Sequence, residues 1–271
     1  MQNNSETNTS GETNTSGETN TSGDTNTSVQ TSETSENNKE LAIITCFLGM
    51  RITKILPAPK KYNSYFFTNN PLLKDIIIKN NWIYIYINVP LFNSAISSSL
   101  QSKTIKFLKF LQLEKFKYFY NYKRLLYIDH KHLLTDFKIN RLLNVFNASN
   151  KSILIRYCPI KSKRPKNLID EYNQSLYQER YSTFRNITVK YIQQMVNKNK
   201  CNPYIRVCCT GLILYDLTSE VSLKCANETF KDIMMIRNPQ CQIIWNLVTQ
   251  KYNDHIFKLD YTDIFIKRYE I

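Results

Sequence analysis

Glycine is almost missing from this chain beyond its first forty residues. Of five glycines, Gly11, Gly17 and Gly23 fall in that leader, which leaves Gly49 and Gly211 for everything after it. A glycine-rich phosphate loop, whose backbone amides must approach a phosphate closely, is therefore excluded, and any nucleotide has to be held by side chains and helix ends. No apolar run approaches the roughly 18 residues that span a bilayer, and no apolar signal segment opens the chain. Seven cysteines are an odd number without a C-x-x-C pair. Their pattern predicts buried, reduced thiols and a cytoplasmic protein.

The leader also holds almost no apolar residues. Residues 10–28 repeat the hexapeptide Ser-Gly-Glu-Thr-Asn-Thr with small variations. Such a segment cannot bury enough surface to offset its ordering entropy, so residues 1–40 are expected to be a disordered, low-complexity tail. Residues 41–271 are then left for a single α/β domain. Of the 36 basic and 22 acidic residues, Lys39 and seven acids belong to the tail, so the remainder carries a net charge of +20. A field of that size favours polyanionic partners, whether nucleic acid, an anionic surface or a nucleotide diphosphate.

What the chain does have is alternation of apolar strands with helical stretches. Strands are expected near 41–48, 64–68, 82–89, 124–128, 152–158 and 206–215, with a last edge strand at 256–266. Helices are expected over 71–79, 99–119, 168–197, 220–234 and 239–252. This order predicts a mainly parallel central sheet flanked by helices. The most informative stretch is Lys123-Arg124-Leu125-Leu126-Tyr127-Ile128-Asp129-His130-Lys131-His132. An apolar run of this length suits a strand buried on both faces, and ligands collect at the carboxyl ends of such strands. An Asp there can hold a metal or orient a sugar hydroxyl. His130 and His132 could join it only if the backbone turns, because a strand sends alternate side chains to opposite faces. Lys106 and Lys109, one helical turn apart, can present two ammonium groups to a diphosphate. Tyr118, Phe119, Tyr120 and Tyr122 could stack on a base, although aromatics at such density usually build core.

The order of these pieces resembles a GT-A glycosyltransferase: a Rossmann-like nucleotide-binding half, a central strand ending in an acidic motif, then an acceptor half. More narrowly, the chain resembles the mucilage galacturonosyltransferase-like family, over roughly residues 41–252. The likeness rests on Ile44-Thr45-Cys46-Phe47-Leu48-Gly49, Tyr65-Phe66-Phe67-Thr68-Asn69-Asn70-Pro71, the Lys106 and Lys109 pair, Tyr127-Ile128-Asp129-His130-Lys131, Cys209-Thr210-Gly211-Leu212-Ile213-Leu214 and Gln240. Two departures stand out. The usual pair of carboxylates flanking one residue is reduced to Asp129, with Lys131 in the second place. Asn238 and Pro239 stand where the family has Arg and Asp.

The resemblance implies transfer of a sugar from a nucleotide-sugar donor to a glycan or protein acceptor. Asp129, Lys131, Lys106, Lys109 and Gln240 would bind the donor, and the catalytic base is not identified. If Mn²⁺ or Mg²⁺ takes part, Asp129 and His255 are its candidate ligands. The ammonium of Lys131, able to neutralise a diphosphate as a metal would, favours metal-independent binding. The alternative is a catalytically inactive GT-A-like scaffold that binds nucleic acid or acidic glycan through its basic surface.

Overall fold

The structure, a computed structural model, describes residues 39–50, 52, 54–159 and 164–260. The expected tail lies outside these residues up to position 38. Seven strands form one sheet: β1 Leu41–Phe47, β2 Asn63–Thr68, β3 Ile83–Tyr86, β4 Arg124–Ile128, β5 Ile153–Tyr157, β6 Cys208–Asp216 and β7 Ile256–Leu259. Their order across the sheet is β3-β2-β1-β4-β6-β5-β7. Every pairing is parallel except the two made by β6, which runs against both β4 and β5. The expected α/β class and mainly parallel sheet are present, and the strands around Ile43, Tyr84 and Leu126 share it.

The sheet is covered on both faces, which explains why its central strands read as unbroken apolar runs. Along β1 and β4, Ala42, Ile44, Cys46, Leu125 and Tyr127 enter one core, while Leu41, Ile43, Leu126 and Ile128 enter the other. Eight helices are described: α1 Lys74–Lys79, α2 Ala95–Lys106, α3 Asp136–Ser149, α4 Leu168–Ser175, α5 Glu179–Ser182, α6 Arg185–Asn199, α7 Glu220–Ile236 and α8 Cys241–Val248. The first core takes side chains from α4, α6, α7 and α8, and the second takes Ile77 of α1 and Ile139, Leu142 and Phe146 of α3. Among the described residues, no helix is long and apolar enough to cross a membrane.

Local chemistry sets several of the boundaries. Ser94 caps α2 by accepting from Ser97 N, and Asn167 caps α4 by accepting from Asp170 N. The helix expected over 99–119 stops at Lys106. Leu108 takes a left-handed φ of 58°, and two 3₁₀ segments follow, Lys109–Gln112 and Glu114–Asn121. That break lets Phe107, Phe110, Phe116 and Phe119 all reach the core, which one straight helix face could not do. The single helix expected over 168–197 is divided into α4, α5 and α6 by turns around Tyr177 and Thr183. The 239–252 helix ends at Val248 in a 3₁₀ segment, Thr249–His255. The last strand is β7 as far as Leu259, and residues 261–266 of the expected strand lie outside the described set.

Two features refine the sequence reading. Lys39 and Glu40, assigned there to the tail, hold on to β4: Lys123 N donates to Lys39 O at 2.9 Å, and the guanidinium of Arg124 pairs with the Glu40 carboxylate. Arg124 is buried, so removing Glu40 strands a charge. Deleting residues 1–38 is expected to leave the melting temperature within a few degrees. Deleting 1–40 should lower it measurably further, and equal melting of the two truncations would show that the ion pair contributes nothing. The second feature corrects the expectation that all cysteines stay as thiols: Cys158, just after β5, and Cys209 of β6 form a disulfide. The other five are buried thiols.

Candidate functional site

In an open α/β sheet a ligand crevice forms where the strand order reverses, at the carboxyl ends of the strands. Here the chain builds β1, β2 and β3 outward in one direction, then places β4 on the other side of β1. The switch point therefore lies between the ends of β1 and β4, with Gly49 behind one and Asp129 behind the other. Phe47 and His130 meet across it edge to face, ring centroids 5.3 Å apart.

The backbone turns immediately after β4. Asp129 N donates to Gly211 O and His132 N donates to Asp129 O, each at 2.9 Å. This turn sends His130 toward Phe47 and returns His132 to the β6 side, where its Nδ1 lies 3.1 Å from Gly211 O. Gly211 is required here for space. A Cβ on it would sit 2.7 Å from His132 Cε1 and 3.0 Å from Asp129 Oδ2.

Asp129 is the hub. Its Oδ1 lies 3.0 Å from Lys106 Nζ and accepts a hydrogen bond from Tyr127 OH at 2.7 Å. Lys106 Nζ also lies 4.8 Å from the Tyr127 ring centroid, within cation–π range. The Lys106 side chain is 6% exposed and that of Asp129 37%, so the carboxylate is the part of the pair that solvent or a ligand can reach. Burial pushes the Asp129 carboxyl upward, but Lys106, His132 and the Tyr127 hydroxyl overcome it and hold the group well below the usual carboxylate range. The lysine responds in kind: burial opposes its charge, and Asp129 raises it above the ordinary lysine value.

The expected pairing of Lys106 with Lys109 does not form. The helix ends at Lys106, the left-handed Leu108 redirects the chain, and Lys109 Nζ lies 6.0 Å from the Phe230 ring on α7. The second ammonium near Asp129 is instead Lys103, one turn earlier and buried, which donates to Ser99 Oγ at 3.2 Å. Cys241, the first residue of α8, joins the cluster with its Sγ 3.3 Å from Thr210 Oγ1. Lys131 occupies the turn between the two histidines, half-buried. Tyr118 and Tyr120 are exposed, whereas Phe119 and Tyr122 are core.

Gln240 does not reach Asp129 through any hydrogen bond described. Its Nε2 donates to Glu171 Oε1 at 2.5 Å, and its backbone N donates to Asn238 Oδ1 at 2.8 Å. Asn238 is buried and bonds Thr188 Oγ1 at 2.6 Å, so its role is to shape the chain ahead of α8. Glu171 of α4 was not singled out from sequence. Burial raises its carboxyl above the ordinary value, against hydrogen bonds from Gln242 and Gln240 and the charge of Arg164. Its only sequence signal was a carboxylate near the start of an amphipathic helix.

His255 lies at the wrong end of the sheet to share a ligand with Asp129. Its carbonyl accepts from Ser152 N at 3.0 Å, just ahead of β5 and β7, whereas Asp129 follows β4 at the opposite end of the strands. No cluster of three or more His, Cys, Asp or Glu side chains suited to a metal exists among the described residues. Around Asp129 stand the paired ammonium of Lys106, a second buried lysine and His132, so a divalent cation there would meet two ammonium groups and one carboxylate. A shallow depression lined by Lys39, Glu40, Tyr120, Tyr122, Lys123 and Thr218 lies at the amino ends of β1 and β4 and shares none of these groups.

His130 supplies a pH test of the turn. Burial, joined by the positive charges of Lys131, Lys106 and His132, outweighs the pull of Asp129 and lowers its pKa to about 4. The unfolded side chain titrates near 6.5, so between those values the unfolded chain binds a proton that the fold refuses. Stability should fall as pH drops from about 6.5 to 4, and His130→Phe should flatten that slope. Urea midpoints across this range, identical in slope for variant and parent, would count against it.

No family model matches the chain, and no curated protein matches it. Among solved structures it is similar to mouse xyloside xylosyltransferase 1 in its apo form, at 11% identity and a TM-score of 0.44, covering 82% of this chain and 86% of that one. A superposition this loose carries no argument about substrate or chemistry.

Proposed function

We propose that this chain is a GT-A-type glycosyltransferase-like protein that binds a nucleotide-sugar donor at the β1/β4 switch point and delivers the sugar to a glycan or protein acceptor. The observation that carries the reading is Asp129: a carboxylate held ionised at the carboxyl end of a central strand, at the position where open α/β sheets bind ligands. It rests on the broad GT-A likeness of the sequence and not on the narrower family.

Asp129, the exposed member of its pair, accepts from donor hydroxyls. Lys106, with Lys131 at the turn, stabilises negative charge as it builds on the departing diphosphate, a task that fixed ammonium groups perform in a water-poor site. Binding is metal-independent in this reading, because the Lys106 ammonium, 3.0 Å from Asp129 Oδ1, already balances the carboxylate charge. Glu171, raised by burial and bonded to Gln240, is the acceptor-side carboxylate suited to take a hydroxyl proton.

Calorimetry with a panel of nucleoside diphosphates, in Mn²⁺ and in EDTA, tests this. At least one should bind equally well in both, and Asp129→Ala should abolish the binding. Lys131→Asp, which restores two carboxylates one residue apart, should make binding stronger in Mn²⁺ than in EDTA. Failure of the wild-type protein to bind any nucleoside diphosphate would overturn the reading.

A further inference from the structure

The ladder between β5 and β6 breaks where it passes the site. Ile153, Leu154 and Ile155 face Tyr215, Leu214 and Ile213 in turn, but Arg156 faces Cys209 and Tyr157 faces Cys208. Three residues of β6, Thr210, Gly211 and Leu212, therefore have no counterpart on β5. A bulge of this kind re-aims the backbone that carries it, at the cost of ladder bonds. Here the released backbone follows β4: Leu212 pairs with Ile128, and Gly211 O accepts from Asp129 N at 2.9 Å. The same carbonyl lies 3.1 Å from His132 Nδ1. The bulge is what sets Gly211 against the Asp129 turn.

Beyond the bulge, two attachments fix the strand. Asn246 of α8 bonds both backbone groups of Cys208, accepting from its N at 2.8 Å and donating to its O at 3.0 Å. Cys209, next to the bulge, is joined covalently to Cys158, which follows β5. β5 and β4 both run against β6, so this bridge lies at the same end of the strands as Asp129. It also meets the Glu171 side: Gln242 Nε2 donates to Cys158 Sγ at 3.6 Å, and Gln242 hydrogen-bonds the Glu171 carboxylate. Cys158 is buried whereas Cys209 is partly exposed, so a small reductant reaches the bridge through Cys209.

We propose that the Cys158–Cys209 bridge positions the ligand site and makes it redox-sensitive. Oxidised, it holds the bulge that sets Gly211 against Asp129 and His132; reduced, it releases the bulge and weakens ligand binding. The binding part of this inference rests on the nucleoside diphosphate reading above, and the positioning part does not. The reductant is a dithiol. One of its thiolates attacks Cys209 Sγ, the S–S bond breaks, and Cys158 leaves as a thiolate that takes up a proton. The second thiolate attacks the mixed disulfide and releases the Cys209 thiolate, which takes up the other proton. The products are two protein thiols and the disulfide form of the reductant.

The test compares the full chain oxidised, reduced with dithiothreitol and reoxidised, all in EDTA. A thiol count in denaturant, five before reduction and seven after, reports the state of the bridge. The chain has only three histidines, so the ring signals of His130, His132 and His255 can be followed separately by NMR. Reduction should shift His132 reversibly and leave His255, at the opposite end of the strands, in place. The nucleoside diphosphate that the oxidised protein binds should bind about 3- to 30-fold more weakly after reduction, the range for coupling carried through packed and hydrogen-bonded neighbours. Cys158→Ala/Cys209→Ala should match the reduced protein and ignore the dithiol.

An unmoved His132 signal after reduction overturns the positioning role. Loss of the circular dichroism signal in the reduced protein and the double variant overturns it too, because the bridge is then a condition of folding only. If His132 shifts while affinity stays equal, redox control of binding fails and the proposed function stands. If His132 shifts while no nucleoside diphosphate binds in either state, the positioning role is supported and the donor reading fails.

Discussion

Asp129→Asn is expected to destabilise the fold by about 2 kcal/mol, more than Lys106→Met does, although both break the same ion pair. The asymmetry comes from burial. The asparagine variant leaves an ammonium at a 6% exposed position with a neutral amide in place of its carboxylate. The methionine variant leaves a carboxylate that is 37% exposed, still bonded by Tyr127 and reachable by water. Breaking a fully buried pair typically costs about 3–5 kcal/mol, and the figure is lowered here because half of the pair sees solvent. The buried partner makes the fold, and not only ligand binding, sensitive to this substitution. Because the folded carboxyl is depressed, its stabilisation is complete above the unfolded value near pH 4 and is lost as pH falls further. Urea unfolding at pH 7 and pH 3 measures both effects. A smaller loss for Asp129→Asn than for Lys106→Met at neutral pH would refute the ranking.

Gly211→Ala should cost about 1–3 kcal/mol, the usual penalty for overpacking, and should also abolish ligand binding. The backbone at Gly211 has no positive φ, so the added methyl meets no conformational strain of its own. It meets His132 and Asp129 at 2.7 and 3.0 Å, and both must move for it to fit. Gly49 provides the control. A Cβ there would lie 3.2 Å from Ser98 Oγ, a hydroxyl that can rotate away, so Gly49→Ala should be milder in stability. Thermal melts of the two variants and calorimetry on Gly211→Ala check this. Wild-type binding by Gly211→Ala would mean that the His132–Asp129 arrangement is not needed.

The sheet was legible because buried parallel strands announce themselves. Leu41 to Phe47 and Leu125 to Ile128 are apolar on both faces, and no helix needs that pattern. Asp129 was legible for the same reason, as the first charge after such a strand. What could not be read was anything set by a turn or by a partner distant in sequence. Lys103 and Lys109 look alike on paper, and only the left-handed Leu108 decides which of them stays beside Lys106. Glu171 gains its chemistry from Gln240, a contact that spans 69 residues. His255 shows the reverse case. It fitted an expected pattern, but the parallel pairing of β7 with β5 carries it to the other end of the sheet.

The antiparallel strand β6 has a consequence for how this protein can change. A parallel neighbour must cross over the sheet before it re-enters, so its connection is part of the architecture. β5 and β6 instead leave and enter at the same end of the sheet, and α4, α5 and α6 lie in the chain between them, like a sleeve gathered at one cuff. The disulfide closes the cuff across a sequence separation of 51. Insertions or replacements inside the sleeve need not shift the register of any strand, and the cross-link limits how far a rebuilt sleeve can pull its two ends apart. Glu171 rides on this sleeve while Asp129 and Lys106 do not. The Glu171 side can therefore diversify while the Asp129 side stays fixed.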